Sequence, residues 1–434
     1  MVEAVAERRC ATVVLVTAAV PNVADNATPV PANERVAALD VLRGVALLGI
    51  FIMNMPGFSH SLFAAPQLEA STGEALVAGL RELLFAGKFN LLFGLLFGIG
   101  FALQMTRLER AAAARDEGVR TGRATRIYAR RLLFLLGVGL VHAMLLWPGD
   151  VLLVYAVLGF ALLALRRVGN RHLIALIAAC LLFPAFAEVA RVDFFSLATD
   201  TVAAFQYQQF EASNDLAFGR GSLRDAMVET ARVFFWSYTS PLGLFAYASY
   251  YVQMATGILA GFVIGRRGWH DIAARDAATP ARLRRVALAL CGGAIAAGVA
   301  ASILLGSLPD ADSPVAIFVG TLARTIERAA LAVFYALTVL RLVDRGVPGW
   351  LRPFESAGRM PLSSYLLQTV LASTVFYGWG LGFWNRAGPA SEMLLAIGLF
   401  VLVQLPLSVW WLRRFRYGPM EYLWRRFTYG RVPA

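Results

Sequence analysis

Charge is scarce in this chain: Asp, Glu, Lys and Arg make up only 16% of the residues, and 58% are hydrophobic. Soluble domains are about one-quarter charged and one-half apolar, so a fold solvated mainly by water is excluded. Lysine is scarcer still, with Lys88 the single lysine among 40 basic residues. Cysteine is limited to Cys10, Cys180 and Cys291. They lack metal-ligand spacing, which argues against a zinc site or disulfide framework and leaves them as small core residues. The net charge of +12 comes without a basic helix, an aromatic stacking motif or a zinc pattern. No nucleic-acid partner is therefore expected, and no metal.

What the sequence does contain is a series of apolar blocks separated by short arginine-rich segments. About 20 helical residues are needed to cross a hydrocarbon core of roughly 30 Å. The blocks are continuously apolar rather than alternating, which favours membrane helices over a barrel. The expected fold is all-α, a polytopic bundle of about ten spans, at 39–55, 83–105, 132–147, 151–165, 173–189, 244–265, 286–306, 315–340, 362–380 and 393–412. Basic residues then divide 27 to six between the two sides: 27 in the even-numbered connections and the C-terminal segment, six in the odd-numbered ones. The positive-inside rule puts both termini in the cytoplasm, as expected of a bacterial inner-membrane protein.

Organisation along the chain follows from the same pattern. Residues 1–37 read as a disordered or targeting-like tail, since their apolar run is too short to span. Residues 38–431 read as one transmembrane domain. Within it, 190–238 is a long outer connection whose amphipathic stretch 222–232 fits either an interfacial helix or a solvated one. Residues 413–434 form a basic cytoplasmic segment.

Ionisable residues inside spans are costly and become functional candidates. Asp40 and Arg43 share one helix face at i,i+3 and either bind substrate or pin the helix end. Asn54 lies about 21 Å further along the same helix, where a carboxamide can polarise a carbonyl or bond a neighbouring helix. His60 follows at the outer mouth. Lys88 is a compact ammonium retained where arginine is otherwise the rule, which suits an anion anchor as well as a snorkelling side chain. His142 stands near Asp150 across the tight turn Trp147-Pro-Gly, with Tyr155 one helix turn beyond. A histidine there exchanges protons near neutral pH, and a carboxylate fixes its tautomer, so His142 is the first choice for a general base. Arg324, Glu327 and Arg328 are spaced as a polar stripe, fit either for a phosphate or carboxylate group or for a structural network. Gly94, Gly98 and Gly100 fit close helix packing rather than a phosphate cradle, because no strand precedes them.

Several of these segments occur together in a known order: Leu39-Asp-Val-Leu-Arg-Gly-Val-Ala-Leu-Leu-Gly-Ile with Asn54, then Lys88-Phe-Asn-Leu-Leu-Phe-Gly-Leu-Leu-Phe-Gly, then His142 with Gly149-Asp-Val-Leu. Gly358-Arg-Met-Pro-Leu-Ser-Ser-Tyr-Leu-Leu-Gln368, Tyr417-Gly-Pro-Met-Glu-Tyr-Leu-Trp-Arg425 and Thr428-Tyr-Gly430 complete the set. From about residue 35 to 431 the chain resembles the YeiB-like family of bacterial inner-membrane proteins. The polar positions of the later motifs, Arg359, Gln368, Glu421 and Arg425, join Asp40, Arg43, Tyr155, Arg324 and Arg328 as substrate-binding candidates.

That family is similar to a wider superfamily of transmembrane acyltransferases, which includes heparan-α-glucosaminide N-acetyltransferase and enzymes that O-acylate surface polysaccharides. The resemblance implies transfer of an acyl group from cytoplasmic acyl-CoA to an envelope glycan or lipid, with His142, Asn54, Asp150 and Lys88 as the catalytic candidates. In the heparan enzyme an asparagine matching Asn54 and a histidine shortly after it are implicated in chemistry; His60 stands closer to Asn54 than that histidine would. The O-acylating branch carries histidine at the position of Asn54, so here His142 would supply the base. A small-metabolite transporter or exporter and a noncatalytic envelope partner are the alternatives. Thr239-Ser-Pro241 offers one helix break to the transporter reading, but no internal repeat supports it.

Overall fold

The computed structural model describes residues 37–63, 71–113, 121–195, 200–268, 278–306, 313–343 and 346–430. Apart from Ala37, the tail expected at 1–37 lies outside the described residues, as does Cys10. Every regular element among the described residues is helical.

The first helix, α1 (Ala37–Asn54), is apolar along most of its length after Asp40 in its first turn. Pro56 starts a single turn, α2 (Pro56–Ser59). Ser71 caps α3 (Thr72–Phe85), its side chain accepting from the Glu74 amide. The chain then turns through Gly87, at φ +72°, into α4 (Lys88–Ala113). That left-handed backbone suits glycine, so the window 83–105 is two helices meeting at a break rather than one span.

Next come α5 (Thr121–Val141), which runs on as the π-helical turn His142–Leu146, then α6 (Leu152–Leu165) and α7 (Asn170–Phe195). The connection expected at 190–238 is largely helical, with α8 (Asp200–Ala217) and α9 (Leu223–Thr239). A reciprocal capping box between Ser222 and Asp225 starts α9 at the amphipathic stretch identified in the sequence. The Ser222 hydrogen bonds hold the Asp225 carboxyl below the usual range.

Ser240 and Pro241 end α9 and start α10 (Pro241–Arg266). The remainder comprises α11 (Ala278–Gly306), α12 (Pro314–Val343), α13 (Arg352–Arg359), α14 (Pro361–Phe376), α15 (Pro389–Gly398), the π-helical Leu399–Gln404, α16 (Leu405–Arg414) and α17 (Pro419–Tyr429).

Six helical stretches are long and apolar enough to cross a membrane. The distribution of burial shows what solvates them. The stretch Asn170–Arg191 has mean hydropathy 2.3 yet only 17% of it is buried within the protein, whereas Ala37–Asn54 is 61% buried. An outer helix that apolar and that uncovered needs lipid around it. The chain is an all-helical membrane protein.

The core is arranged around α1, which packs against α4, α12, α13 and α15. The most extensive packing joins α4 to α10. A Cβ on Gly98 would collide with the Ile258 carbonyl, and one on Gly261 with the Leu95 carbonyl, so the two backbones approach as closely as small residues permit. Gly94 faces the same neighbour, while Gly100 turns toward the Arg43 side chain on α1.

Candidate functional site

The π-helical turn at the end of α5 determines where His142 points. Its backbone carbonyl accepts from Trp147 N at 2.9 Å, five residues on, and this wider turn ends the helix. Asp150 follows across Pro148 and Gly149, and its Oδ2 accepts the Leu153 amide at 2.6 Å. One carboxylate oxygen thus fixes the start of α6, leaving Oδ1 at 2.7 Å from His142 Nδ1. His142 and Asp150 are almost wholly buried, at 1% and 3% exposure.

The other imidazole nitrogen is also engaged. His142 Nε2 lies 2.9 Å from Thr369 Oγ1 on α14. Asp150 accepts hydrogen bonds from two N–H groups, so Nδ1 carries the hydrogen and Nε2 presents a lone pair to the Thr369 hydroxyl. The result is a buried relay, hydroxyl to imidazole to carboxylate, in the order used to activate oxygen nucleophiles. Tyr365, one helix turn before Thr369, accepts from Val151 N at 3.3 Å. Tyr247 on α10 donates to the Pro148 carbonyl at 3.1 Å. Both tyrosines hold the turn carrying Asp150.

Asn54 ends α1 at the same end of the bundle, half-buried. Just beyond it, Gly57 accepts from the Trp147 indole at 3.1 Å and Phe58 stacks on that ring. Gln368, next to Thr369, donates to the Leu47 carbonyl at 3.2 Å while its Oε1 is buried without a hydrogen-bond partner among the described residues.

Lys88 lies in a separate cluster. Its ammonium is 1% exposed, 3.2 Å from Glu327 Oε1 on α12, and donates to the Glu82 carbonyl at 2.9 Å. Arg328 pairs with the Glu82 carboxylate at 3.0 Å. No hydrogen bond or ion pair among the described residues joins Lys88 to His142 or Asp150. The stripe expected on α12 also divides: Glu327 faces inward, whereas Arg324 is exposed and bonds Thr321 at 3.0 Å.

The remaining candidates have local partners. Asp40 and Arg43 pair at 2.6 Å beside α13, where Gly358 packs directly against the Asp40 backbone. Arg359 has a buried Nε without a hydrogen-bond partner among the described residues. Tyr155 donates to the Asn90 carbonyl at 3.2 Å and packs against Phe93 and Phe97, joining α6 to α4. Glu421 accepts the Leu362 amide at 2.7 Å and the Ser363 amide at 3.1 Å, capping α14 from α17. Burial pushes its carboxyl above the usual range, against the downward pull of the Ser363 and Leu362 donors. Arg425 lies over the Tyr417 ring at 4.4 Å.

Sequence reasoning missed two participants. Thr369 looked like one more small residue in an apolar helix, and only its place directly after Gln368 in the motif singles it out. Glu392, in the first turn of α15, binds Ser59 and Arg81 by short hydrogen bonds and lies 3.1 Å from His60 Nδ1. This joins α2, α3 and α15 and gives His60 a fixed partner. An acidic residue after Gly388-Pro389 was the available signal.

Comparison with known proteins places the chain in a family without an assigned activity. The family model described as protein of unknown function DUF418 matches residues 264–431. The uncharacterized protein YxaH of Bacillus subtilis is 30% identical over 419 residues, covering 92% of this chain and 96% of its own length. The uncharacterized protein YeiB of Escherichia coli is 27% identical, with 91% and 96% covered. An uncharacterized 39.9 kDa protein encoded in the amylase 3′ region of Bacillus acidopullulyticus is 26% identical, with 93% and 96% covered. No solved structure matches the chain. Full-length similarity at this level, together with the DUF418 match, shows that the chain belongs to the YeiB-like family that includes YxaH.

Proposed function

We propose that the protein is a multi-pass enzyme of the bacterial inner membrane that transfers an acyl group from cytoplasmic acyl-CoA to a hydroxyl or amine of an envelope glycan or lipid. In this reading the chain crosses the bilayer ten times with both termini in the cytoplasm. The arginine distribution supports that topology. The polar residues of α12 prevent it from scoring as a simple apolar span, yet Glu327 turns inward to Lys88, as a charged crossing helix requires.

The observation that carries the chemistry is the buried relay of Thr369, His142 and Asp150. The acceptor hydroxyl takes the place of Thr369 on Nε2 and gives its proton to the imidazole as its oxygen attacks the thioester carbonyl. Asp150 steadies the imidazolium that forms. The Asn54 carboxamide, at the same end of the bundle, is the candidate donor to the tetrahedral oxyanion. Collapse breaks the carbon–sulfur bond, and the imidazolium returns its proton to the thiolate. The products are an ester and a free thiol.

The test is transfer from radiolabelled acetyl-CoA to envelope lipid and glycan fractions by purified protein in nanodiscs. His142→Gln should lower the rate by about 10²- to 10⁴-fold while the thermal midpoint changes little. Full activity in this variant would refute the assigned base, and no transfer by the unmodified protein to any fraction would remove the enzyme reading.

One observation favours a second reading. The buried Lys88–Glu327 pair joins two membrane-like helices, a placement also used by coupled carriers. Substrate-dependent uptake into proteoliposomes, lost in Lys88→Met, would support that alternative.

A further inference from the structure

The arginine-rich end of the bundle contains a cavity that the relay does not use. It has a volume of about 230 Å³, lies between α5 and α17, and is lined by Arg123, Arg126, Ile127, Arg130, Thr428 and Tyr429. Three guanidiniums line the opening, and no carboxylate is among the described lining residues. All three arginines are exposed, so their charges are available at its rim.

The back wall is rigid and presents a donor. Arg131 donates to Gln104 Oε1 at 2.8 Å, and the Gln104 amide donates to the Tyr429 hydroxyl at 2.9 Å. The Tyr429 oxygen therefore accepts, and its own O–H remains available to a guest. Arg131 also lies 4.0 Å from the centre of the Trp424 ring, whose indole donates to the Arg131 carbonyl at 2.8 Å. These contacts hold α17 against α5. Arg130 donates to the Phe427 carbonyl and stacks on the Phe427 ring, which fixes the side of the cleft.

From this arrangement we infer that the cleft between α5 and α17 binds a phosphate-bearing group. Guanidiniums pair bidentately with phosphate oxygens, and a fixed hydroxyl donor adds direction. A neutral or cationic guest would leave three like charges facing one another without compensation. The phosphate is supplied by a soluble diphosphate ester or by an anionic lipid headgroup, and the chemistry of recognition is the same for both. The inference goes beyond acyl transfer and does not depend on it. Arg126 is separated from His142 by roughly 24 Å of helix rise, so the two sites can fail separately.

The experiment uses the full-length protein in phosphatidylcholine nanodiscs, titrated calorimetrically with coenzyme A and with inorganic pyrophosphate. In parallel, retention of phosphatidylglycerol is measured by native mass spectrometry. Binding of coenzyme A or pyrophosphate identifies a soluble ligand, whereas selective retention of phosphatidylglycerol alone identifies a headgroup. In either case Arg123→Gln/Arg126→Gln should weaken binding by at least about tenfold, as expected for loss of charge-assisted contacts. Tyr429→Phe, which keeps the ring packed, should weaken it by a smaller factor. Equal binding of all three probes by the unmodified protein and both variants would overturn the inference, as would the absence of any binding.

Discussion

The two ends of the bundle handle charge in opposite ways. At the end carrying His142, Lys88 and Glu392, the proton-active and charged side chains are buried and each has a partner: Asp150 and Thr369, Glu327, and Ser59 with Arg81 and His60. At the arginine-rich end, Arg123, Arg126 and Arg130 are exposed around a cleft, and Arg131 and Arg425 lie over aromatic rings. Burial makes an unpaired charge intolerable, so the first end is a set of fixed one-to-one contacts suited to positioning a proton. Exposure makes pairing worth little, so the second end keeps its charge available for a guest.

The largest effect that would sharpen this contrast is at Lys88. Lys88→Met leaves Glu327 buried without its cation and should destabilise the protein by about 3–5 kcal/mol, whereas Lys88→Met/Glu327→Leu recovers most of the loss. Thermal unfolding in detergent micelles checks this, and a single variant as stable as the parent would break the distinction between the ends.

A smaller effect is expected at Thr369. Thr369→Val removes one buried hydrogen bond, about 1 kcal/mol, and leaves Nε2 open. Acyl transfer should then fall by less than about tenfold, far less than in His142→Gln. Complete loss of transfer would instead make the Thr369 oxygen the nucleophile that carries the acyl group.

The smallest effect concerns Glu421, which is outside the membrane-like helices and departs from the exposed-charge pattern of its end. Its folded-state carboxyl lies above the reference value of 4.5 because burial disfavours the anion. The folded state therefore holds this proton more tightly than the unfolded state, and the cost of ionisation appears as pH rises from about 4.5 through the folded value. Relative to Glu421→Gln, the parent should lose thermal stability between pH 5 and pH 8. A pH-independent difference would mean that the capping hydrogen bonds fully offset burial.

Much of the architecture was legible because the bilayer imposes a simple length rule. The apolar windows correspond to helices through most of the chain, and Ser222 with Asp225 marked the start of α9 correctly. The window at 83–105 failed because it cannot register a single glycine at positive φ that breaks one apolar run into two helices. At the site, His142 and Asp150 were readable as neighbours across a short turn. Thr369 was not, since it is 227 residues from His142 and has a side chain that is unremarkable in any membrane helix. Periodicity alone placed Arg324 with Glu327, yet one is exposed and the other buried. Spacing sets the angle between two side chains but not which of them meets a neighbouring helix.

By itself, the sequence determined that the protein is helical and membrane-like, because scarcity of charge and the length of apolar runs are properties of the chain before it folds. It also made His142 the natural proton acceptor, through the chemistry of imidazole and the nearness of Asp150. The tertiary structure decided that Thr369 completes the relay, that Lys88 belongs to Glu327 instead, and that three arginines and Tyr429 surround one cleft. Each of those depends on contacts between helices distant in sequence, where packing selects one arrangement among the many that local pattern permits.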